Sequence, residues 1–185
     1  MIAMLGVPWL GRTADIDESL RDGETPPAYL ERVTQGKLDA VRAMLALPGP
    51  GPAGAVCVLV ADTVVVAPDG GVLGKPRDDD EARAMIERLA GSTHEVSTRF
   101  LLATPEPGAP PVHAQTVTTR VTFRVVGPDE AGAYAATGEG RDKAGAYAVQ
   151  GRAGAFVERI EGSYTCVVGL PLCEVVVALR AHGWL

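Results

Sequence analysis

The chain has 185 residues, of which 46% are hydrophobic, so it is long enough for one domain or for two small lobes with a full core. Acidic residues outnumber basic ones 23 to 17, and a net charge of −6 argues against general nucleic-acid binding while leaving a small anion open. The three cysteines form no CxxC pair and no leader or membrane-length apolar run is visible, so we expect a cytoplasmic protein with free, mostly buried thiols.

The first predicted element is a helix at residues 28–47, where apolar side chains recur near helical spacing. Thr25 or Ser19 offers a cap, and the two prolines that follow Thr25 suit the first turn. The PGPGPAG stretch at residues 48–54 is typical of a linker and ends the helix.

The next two elements are a β-hairpin and a second helix. Valine-rich residues 55–67 predict a strand, and the PDGG turn returns the chain through VLG as a hairpin. Residues 77–91 predict a helix, because aspartates near its start complement the helix dipole and Gly91 suits its end.

The second half continues to mix strands and helices. Residues 94–104 and 112–126 predict two long strands, residues 128–139 a short helix, and residues 170–183 a closing amphipathic helix. Glycine-rich residues 142–169 show only short strand-like runs. This order predicts an α/β fold, bordering on α+β, with a mixed, twisted sheet flanked by helices.

Asp62 interrupts an apolar strand, with VLVA before it and TVVVA after it. A carboxylate is costly to bury there unless it is paired, hydrogen-bonded or bound to a metal. The alternative is a strand-end side chain that caps nearby backbone, and we favour the functional interpretation. Thr63 follows directly, and on a regular strand its side chain points to the opposite face.

Lys75 follows the hairpin in the sequence GKP, and the string DGGVLGK nearly imitates a phosphate-binding P-loop. We reject a P-loop, because Asp69 stands where the first glycine belongs and Pro76 replaces the Ser or Thr that would hold magnesium. Taken alone, Lys75 is typical of a solvated turn lysine.

A second partial motif match is TGEGRDKAG at residues 137–145. It lacks the preceding strand and the third glycine of a dinucleotide-binding motif. It gathers Glu139, Asp142 and Lys143 in a glycine-rich turn, where backbone approaches a ligand closely. The three histidines show no zinc spacing. Carboxylates for a divalent metal and lysines for phosphate oxygens predict a site that handles phosphoryl or nucleotidyl groups.

Five blocks occur in series along the chain. They are ADTVV (61–65), GKP (74–76), EARAMIERLAGSTHEVST (81–98), DKAGAYAVQG (142–151) and VERIEGSYTCVVGLPL (157–172). In order and spacing they closely resemble the Maf family of nucleoside triphosphate pyrophosphatases, which is similar in fold to the inosine triphosphate pyrophosphatases. The resemblance runs from about Gly6 to the C-terminus and implies one Maf-like domain over residues 1–185, with two lobes around a cleft.

The resemblance implies hydrolysis of a nucleoside triphosphate between its α- and β-phosphates, which releases a monophosphate and pyrophosphate. It implies a divalent cation, Mg²⁺ with Mn²⁺ as the alternative, and a homodimer, which is common for such folds. ADT and KAGAY-x-x-Q-G are similar to the branch that prefers dTTP and UTP, with modified nucleotides as further substrates.

The resemblance also implies roles for individual residues. Asp62 corresponds to the catalytic aspartate that activates water and, together with Glu18, to a metal ligand. The residues expected at the substrate and its phosphates are Lys37, Lys75, Asp142 and Lys143. The positions tied to substrate choice are Thr63 and Gln150.

One departure concerns the N-terminus. Family members begin with a strand and a loop reading roughly S-x-S-P-R-R, whereas this chain opens with MIAMLGVPW. We expect either a natural start upstream, which leaves the domain N-terminally incomplete here, or a variant with weak turnover. We favour the first, because every later motif is intact. The second hypothesis for function is a catalytically impaired nucleotide-binding or regulatory protein of the same fold, and the third is a purely structural domain.

Overall fold

The computed structural model describes residues 1–46 and 56–185. Its helices are α1 (Pro26–Ala46), α2 (Asp79–Leu89), α3 (Pro128–Ala135), α4 (Tyr164–Val168) and α5 (Leu172–Ala181). Its strands are β1 (Val58–Val66), β2 (Val72–Leu73), β3 (Thr93–Ala103), β4 (His113–Phe123) and β5 (Val157–Glu161). The strands form a sheet in the order β2-β1-β3-β4-β5, which confirms the predicted α/β class.

Pairs of neighbouring strands in this sheet are antiparallel. The pairing of β1 with β2 confirms the predicted hairpin, and β4 pairs with β5 in the same sense. Between β3 and β4, the hydroxyls of Thr93 and Thr122 lie 2.9 Å apart, and those of Ser97 and Thr118 lie 2.8 Å apart. Residue numbers rise along β3 as they fall along β4, so this pair is antiparallel as well.

The first helix forms where its apolar spacing predicted it. The Thr25 hydroxyl accepts a hydrogen bond from the Ala28 amide at 3.4 Å, so Thr25 caps α1. The helix buries Leu30, Val33 and Leu38 along one face. The linker predicted at residues 48–54 lies outside the described residues.

Local signals also explain α2, but they do not predict α4. Asp78 caps α2 by accepting a hydrogen bond from the Glu81 amide at 2.8 Å, and Gly91 follows the helix with a left-handed φ of 63°. By contrast, α4 has five residues, too few for a periodic apolar pattern to stand out, and it lies where strand-like runs were expected. Its cap is Ser163, whose side chain accepts from the Cys166 amide.

The chain divides into two compact units. Unit 1 comprises Met1–Asp62, Arg99–Thr116 and Leu170–Leu185, and its core residues include Phe100 and Leu38. Unit 2 comprises Thr63–Thr98 and Val117–Gly169, and its core gathers around the aromatic ring of Phe123. The cleft expected between two lobes stays a prediction.

The three cysteines differ in how far they are buried. Cys57 is half-buried, Cys166 is buried and Cys173 is exposed, and all three are free thiols. The expectation of mostly buried thiols is therefore wrong for Cys173, which lies on the first turn of α5.

Within residues 1–46 and 56–185, no helix has the length and apolarity that crossing a membrane requires.

Arg42 lies in the interior of unit 1 although it carries a charge. It is 2% exposed, and it lies one turn after the buried Leu38 on α1. Its guanidinium donates two hydrogen bonds to the Thr104 carbonyl, at 3.0 and 2.9 Å, and one to the Ala109 carbonyl at 2.7 Å. Arg42 therefore holds the loop between β3 and β4, which supplies both carbonyls, against α1.

We predict that Arg42→Met lowers the free energy of unfolding by about 3 kcal/mol, because two partly buried carbonyls lose charged donors. Urea unfolding followed by circular dichroism measures the change. The control is Arg83→Met, whose guanidinium pairs with Glu87 on the exposed face of α2, and which should change stability by less than about 0.5 kcal/mol. If both variants lost the same free energy of unfolding, Arg42 would contribute no more to stability than a surface charge does.

Candidate functional site

Three charged side chains meet in unit 1. The Lys37 Nζ lies 2.5 Å from Asp62 Oδ1 and 2.7 Å from Glu18 Oε1. The side chains are largely shielded, with exposed fractions of 18% for Lys37, 11% for Asp62 and 29% for Glu18. Asp62 thus pairs with a lysine ammonium, which offsets the cost of burying its carboxylate, and its catalytic role stays a prediction.

Each member of this cluster comes from a different part of the sequence. Asp62 lies in the middle of β1, Lys37 lies on α1, and Glu18 belongs to the segment before α1. Two carboxylates around one ammonium leave the cluster with a net negative charge. Such a cluster attracts a further cation more readily than an anion.

The pKa of Lys37 reflects two opposing effects. Burial is the largest single effect and disfavours the charged ammonium, but the hydrogen bonds to Asp62 and Glu18 and the negative charges of both carboxylates together outweigh it and raise the pKa of Lys37. Lys37 therefore stays charged at neutral pH.

Tyr29 is a member of the cluster that sequence reasoning missed. Burial raises the pKa of its phenol above its ordinary value, and the nearby negative charges of Asp62 and Glu18 raise it further, as does a hydrogen bond to Asp62. Tyr29 precedes Lys37 by eight residues on α1, close to two full turns, so both side chains lie on the same helix face. That spacing is the signal that could have found it.

Arg32 holds the backbone on both sides of Glu18. Its guanidinium donates to the Asp17 carbonyl at 3.2 Å and to the Ser19 carbonyl at 2.8 Å. The same group forms a bidentate pair with Glu24, at 2.6 and 2.8 Å, which lowers the pKa of Glu24 to about 2. A single side chain on α1 thus fixes the position from which Glu18 reaches Lys37.

A second charged group lies in unit 2. Lys143 pairs with Asp142 at 2.7 Å, and this hydrogen bond is the main cause of a lowered pKa for Asp142, to which the charge of Lys75 also contributes. The Gly145 amide donates to the Gly74 carbonyl at 3.0 Å and so ties the two loops together. The structure therefore places Lys75, Asp142 and Lys143 in one neighbourhood on an exposed surface.

Gly145 is required for this arrangement of loops. Its φ of 72° is left-handed, and a Cβ at this position would lie 3.1 Å from the Val65 side chain on β1. The loop between α3 and β5 therefore packs directly against the strand.

The carboxylate of Glu139 is bound by groups of the protein itself. It accepts hydrogen bonds from the amides of Arg152 and Ala153, at 3.0 and 3.4 Å, and from the Tyr134 hydroxyl at 3.1 Å. A Cβ on Gly151 would lie 2.3 Å from the same carboxylate. Glu139 therefore organises the turn that follows Gln150, whose own side chain is exposed.

Thr63 begins a chain of hydrogen bonds within unit 2. Its hydroxyl lies 2.8 Å from the hydroxyl of Thr98, which is fully buried and donates to the Cys166 carbonyl at 2.8 Å. A hydroxyl has one proton, and Thr98 has given its proton to that carbonyl, so Thr63 must donate to Thr98. The Thr63 oxygen is left with acceptor lone pairs for any other partner.

The structure thus brings together Glu18, Lys37 and Asp62 in one unit and Lys75, Asp142 and Lys143 in the other. Thr63 and Gln150 belong to unit 2. A joint site of all eight residues stays a prediction.

Comparison with known proteins identifies the family. The family model described as "Maf-like protein" matches residues 2–182 of this chain. The chain belongs to the Maf family. The match covers α1, every strand and α5, so all of the predicted site residues lie within the region that defines the family.

Named Maf relatives are similar over nearly the whole chain. A protein of Hahella chejuensis named "dTTP/UTP pyrophosphatase" is 46% identical over 183 residues, which is 99% of this chain and 86% of that protein. Proteins of the same name from Geotalea uraniireducens and an Anaeromyxobacter species are 41% and 45% identical, over 89% and 83% of their lengths and 99% of this chain.

We predict that Arg32→Met loosens the segment around Glu18 while the remainder of the fold stays protected. Amide hydrogen exchange measured by mass spectrometry should speed up roughly tenfold or more in residues 15–24, because the carbonyls of Asp17 and Ser19 and the carboxylate of Glu24 lose their donors. Arg77→Met, which removes an exposed pair with Glu81, is the control and should leave this segment unchanged. Unchanged exchange in Arg32→Met would contradict the positioning role.

Proposed function

We propose that this protein hydrolyses dTTP and UTP, and modified nucleotides of the same kind, to the monophosphate and pyrophosphate. The observation that carries the proposal is the contact of Asp62, set in an apolar strand, with Lys37 and through it with Glu18. Relatives named dTTP/UTP pyrophosphatase, 41% to 46% identical, support the choice of substrate.

In this proposal Asp62 is the general base. Attack on the α-phosphorus requires a water molecule whose proton is removed, and a carboxylate is a suitable acceptor. Before metal and substrate bind, the ammonium of Lys37 at 2.5 Å orients the carboxylate, and the hydrogen bond from Tyr29 restricts it further. Because charge builds up on the departing pyrophosphate, the remaining catalytic contribution is electrostatic.

Glu18 and Asp62 supply a pair of carboxylates that fits a divalent metal. Their oxygens converge on one cation, and carboxylate oxygens are the protein ligands that Mg²⁺ and Mn²⁺ accept. In the described part of the chain no group of three or more His, Cys, Asp or Glu side chains could hold a metal. Two carboxylates suit Mg²⁺, which keeps several waters and binds substrate phosphates as well. When bound, the metal would neutralise charge on the polyphosphate.

Positive charges for the phosphates come from lysines. Lys37, Lys75 and Lys143 are the three lysines of the chain, and Asp142 orients Lys143 through their ion pair. We assign all three lysines to the substrate phosphates, as an ammonium is a compact charge that binds phosphate oxygens. The homodimer and the cytoplasmic location stay predictions.

Thr63 and Gln150 are proposed to recognise the base. Uracil and thymine present an N3–H donor, whereas cytosine presents an acceptor at the same position. The Thr63 hydroxyl acts as an acceptor, because its proton is given to Thr98, and so matches the N3–H group. This direction of the hydrogen bond favours dTTP and UTP over CTP.

The decisive test is pyrophosphate release from dTTP, UTP, CTP and GTP with Mg²⁺. We expect turnover of dTTP and UTP by the protein, and a loss in kcat on the order of 10³-fold in Asp62→Asn, because the base is gone. Asp39→Asn is the matched control, since this α1 carboxylate accepts a hydrogen bond from Gln35 at the surface, and it should keep full activity. Tight dTTP binding without cleavage by the unaltered protein would favour the nucleotide-binding alternative.

A separate prediction concerns the base. Thr98→Val removes the hydroxyl that receives the Thr63 proton, so Thr63 becomes free to donate, and the UTP to CTP ratio of kcat/KM should fall roughly tenfold. Thr98→Ser should restore the ratio. Ser97→Ala, which removes the neighbouring exposed hydroxyl on β3, is the control. If Thr98→Val lowered kcat/KM equally for UTP and CTP, the hydrogen bond between Thr63 and Thr98 would support only the fold.

A further inference from the structure

Lys37 occupies the place that a cation shared by Glu18 and Asp62 would take. Its Nζ lies within hydrogen-bond distance of one oxygen from each carboxylate, at 2.7 and 2.5 Å. Glu18 and Asp62 would hold a divalent cation such as Mg²⁺ through the oxygens that accept from the ammonium. An ammonium and a divalent cation therefore compete for the same oxygens.

We infer that Lys37 is the resident counter-ion of this carboxylate pair, and that a divalent cation enters only in exchange for the ammonium. We further infer that the displaced ammonium is taken up by the triphosphate. The second step rests on the proposed function, whereas the first requires only the geometry of the cluster.

The burial of the cluster makes exchange more favourable than sharing. The side chains of Lys37 and Asp62 are 18% and 11% exposed, so water and salt screen a divalent ion from the ammonium only weakly. The four-carbon stem of Lys37 is flexible enough to change partners without movement of α1.

The carboxylates have their own supports and stay in place when the ammonium leaves. Glu18 is flanked by carbonyls that Arg32 holds at 3.2 and 2.8 Å, and Asp62 belongs to β1. What the ammonium needs is a new anionic partner, and phosphate oxygens supply one. The metal and the triphosphate therefore bind with positive coupling, and each raises the affinity for the other by the same factor.

The exchange is measured with Mn²⁺, whose free ion gives an electron paramagnetic resonance signal. Mn²⁺ is titrated into the full chain with and without α,β-imido-dTTP, a dTTP analogue that resists cleavage between its α- and β-phosphates. In the unaltered protein the analogue should raise Mn²⁺ affinity by roughly tenfold or more. Lys37→Met keeps the apolar stem and removes the charge, so it should bind Mn²⁺ alone at least about tenfold more tightly, with the coupling reduced.

The control variant is Arg83→Met, which removes a cation from an exposed pair in unit 2 and should change neither quantity. Unchanged or weaker Mn²⁺ binding by folded Lys37→Met overturns the inference. Failure of the unaltered protein to hydrolyse dTTP or UTP would instead overturn the proposed function, while Mn²⁺ binding without nucleotide still tests the exchange.

A second measurement uses the unaltered protein and does not depend on the folding of a variant. The chain has three lysines, so reductive methylation followed by peptide mass spectrometry reports on Lys37 individually. Mg²⁺ alone should speed methylation of Lys37 several-fold, because the ammonium loses its carboxylates, and Mg²⁺ with the analogue should slow it again. A rate that Mg²⁺ leaves unchanged contradicts the exchange.

Discussion

The contact between Lys37 and Asp62 is the interaction on which the candidate site depends. Asp62 belongs to a strand whose neighbouring residues Val58 and Val60 are buried, and an isolated carboxylate there would cost several kcal/mol in lost hydration. An ammonium at 2.5 Å offsets that cost, and the ammonium is itself acceptable in a half-buried place because two carboxylates surround it. The strand, the helix and the segment before the helix are therefore linked by charge. Loss of Lys37 would leave two uncompensated carboxylates, whereas loss of either carboxylate would leave a balanced ion pair.

Arginine and lysine have separate tasks in this chain. Arg42 and Arg32 use the planar guanidinium as a fork that binds backbone carbonyls, and in doing so they hold irregular segments against α1. The lysines are few, and each lies at a position proposed to meet phosphate. This division follows from the chemistry of the two cations, because a rigid fork with several donors fixes backbone, while a compact charge on a flexible stem follows a ligand.

The sequence predicted the features that depend on local pattern or on one costly residue. Apolar spacing predicted α1, the PDGG turn predicted the hairpin, and the price of burying a carboxylate singled out Asp62. It could not predict partners that only the fold brings together. The spacing from Lys37 places Tyr29 on the same helix face, but only the packing of β1 beside α1 brings its phenol to Asp62. The partners of Glu139 include the amides of residues 152 and 153, and backbone groups have no sequence signature. The short α4 was missed for a third reason, since five residues give no period.

The exchange of the ammonium for a divalent cation explains why position 37 carries a lysine. An arginine would bind the same two carboxylates through a rigid, multidentate fork, and its release would break several aligned hydrogen bonds at once. An ammonium offers each carboxylate a single, direction-tolerant contact, so it stabilises the two carboxylates and still gives way to a doubly charged ion. The group that stabilises β1 without metal is thus the group best suited to move to the substrate when metal arrives. The positive charge of Lys37 thus stabilises the fold first and binds the substrate afterwards. The Asp62 carboxylate is tolerated in the strand because it has a cation beside it both before and after the metal binds.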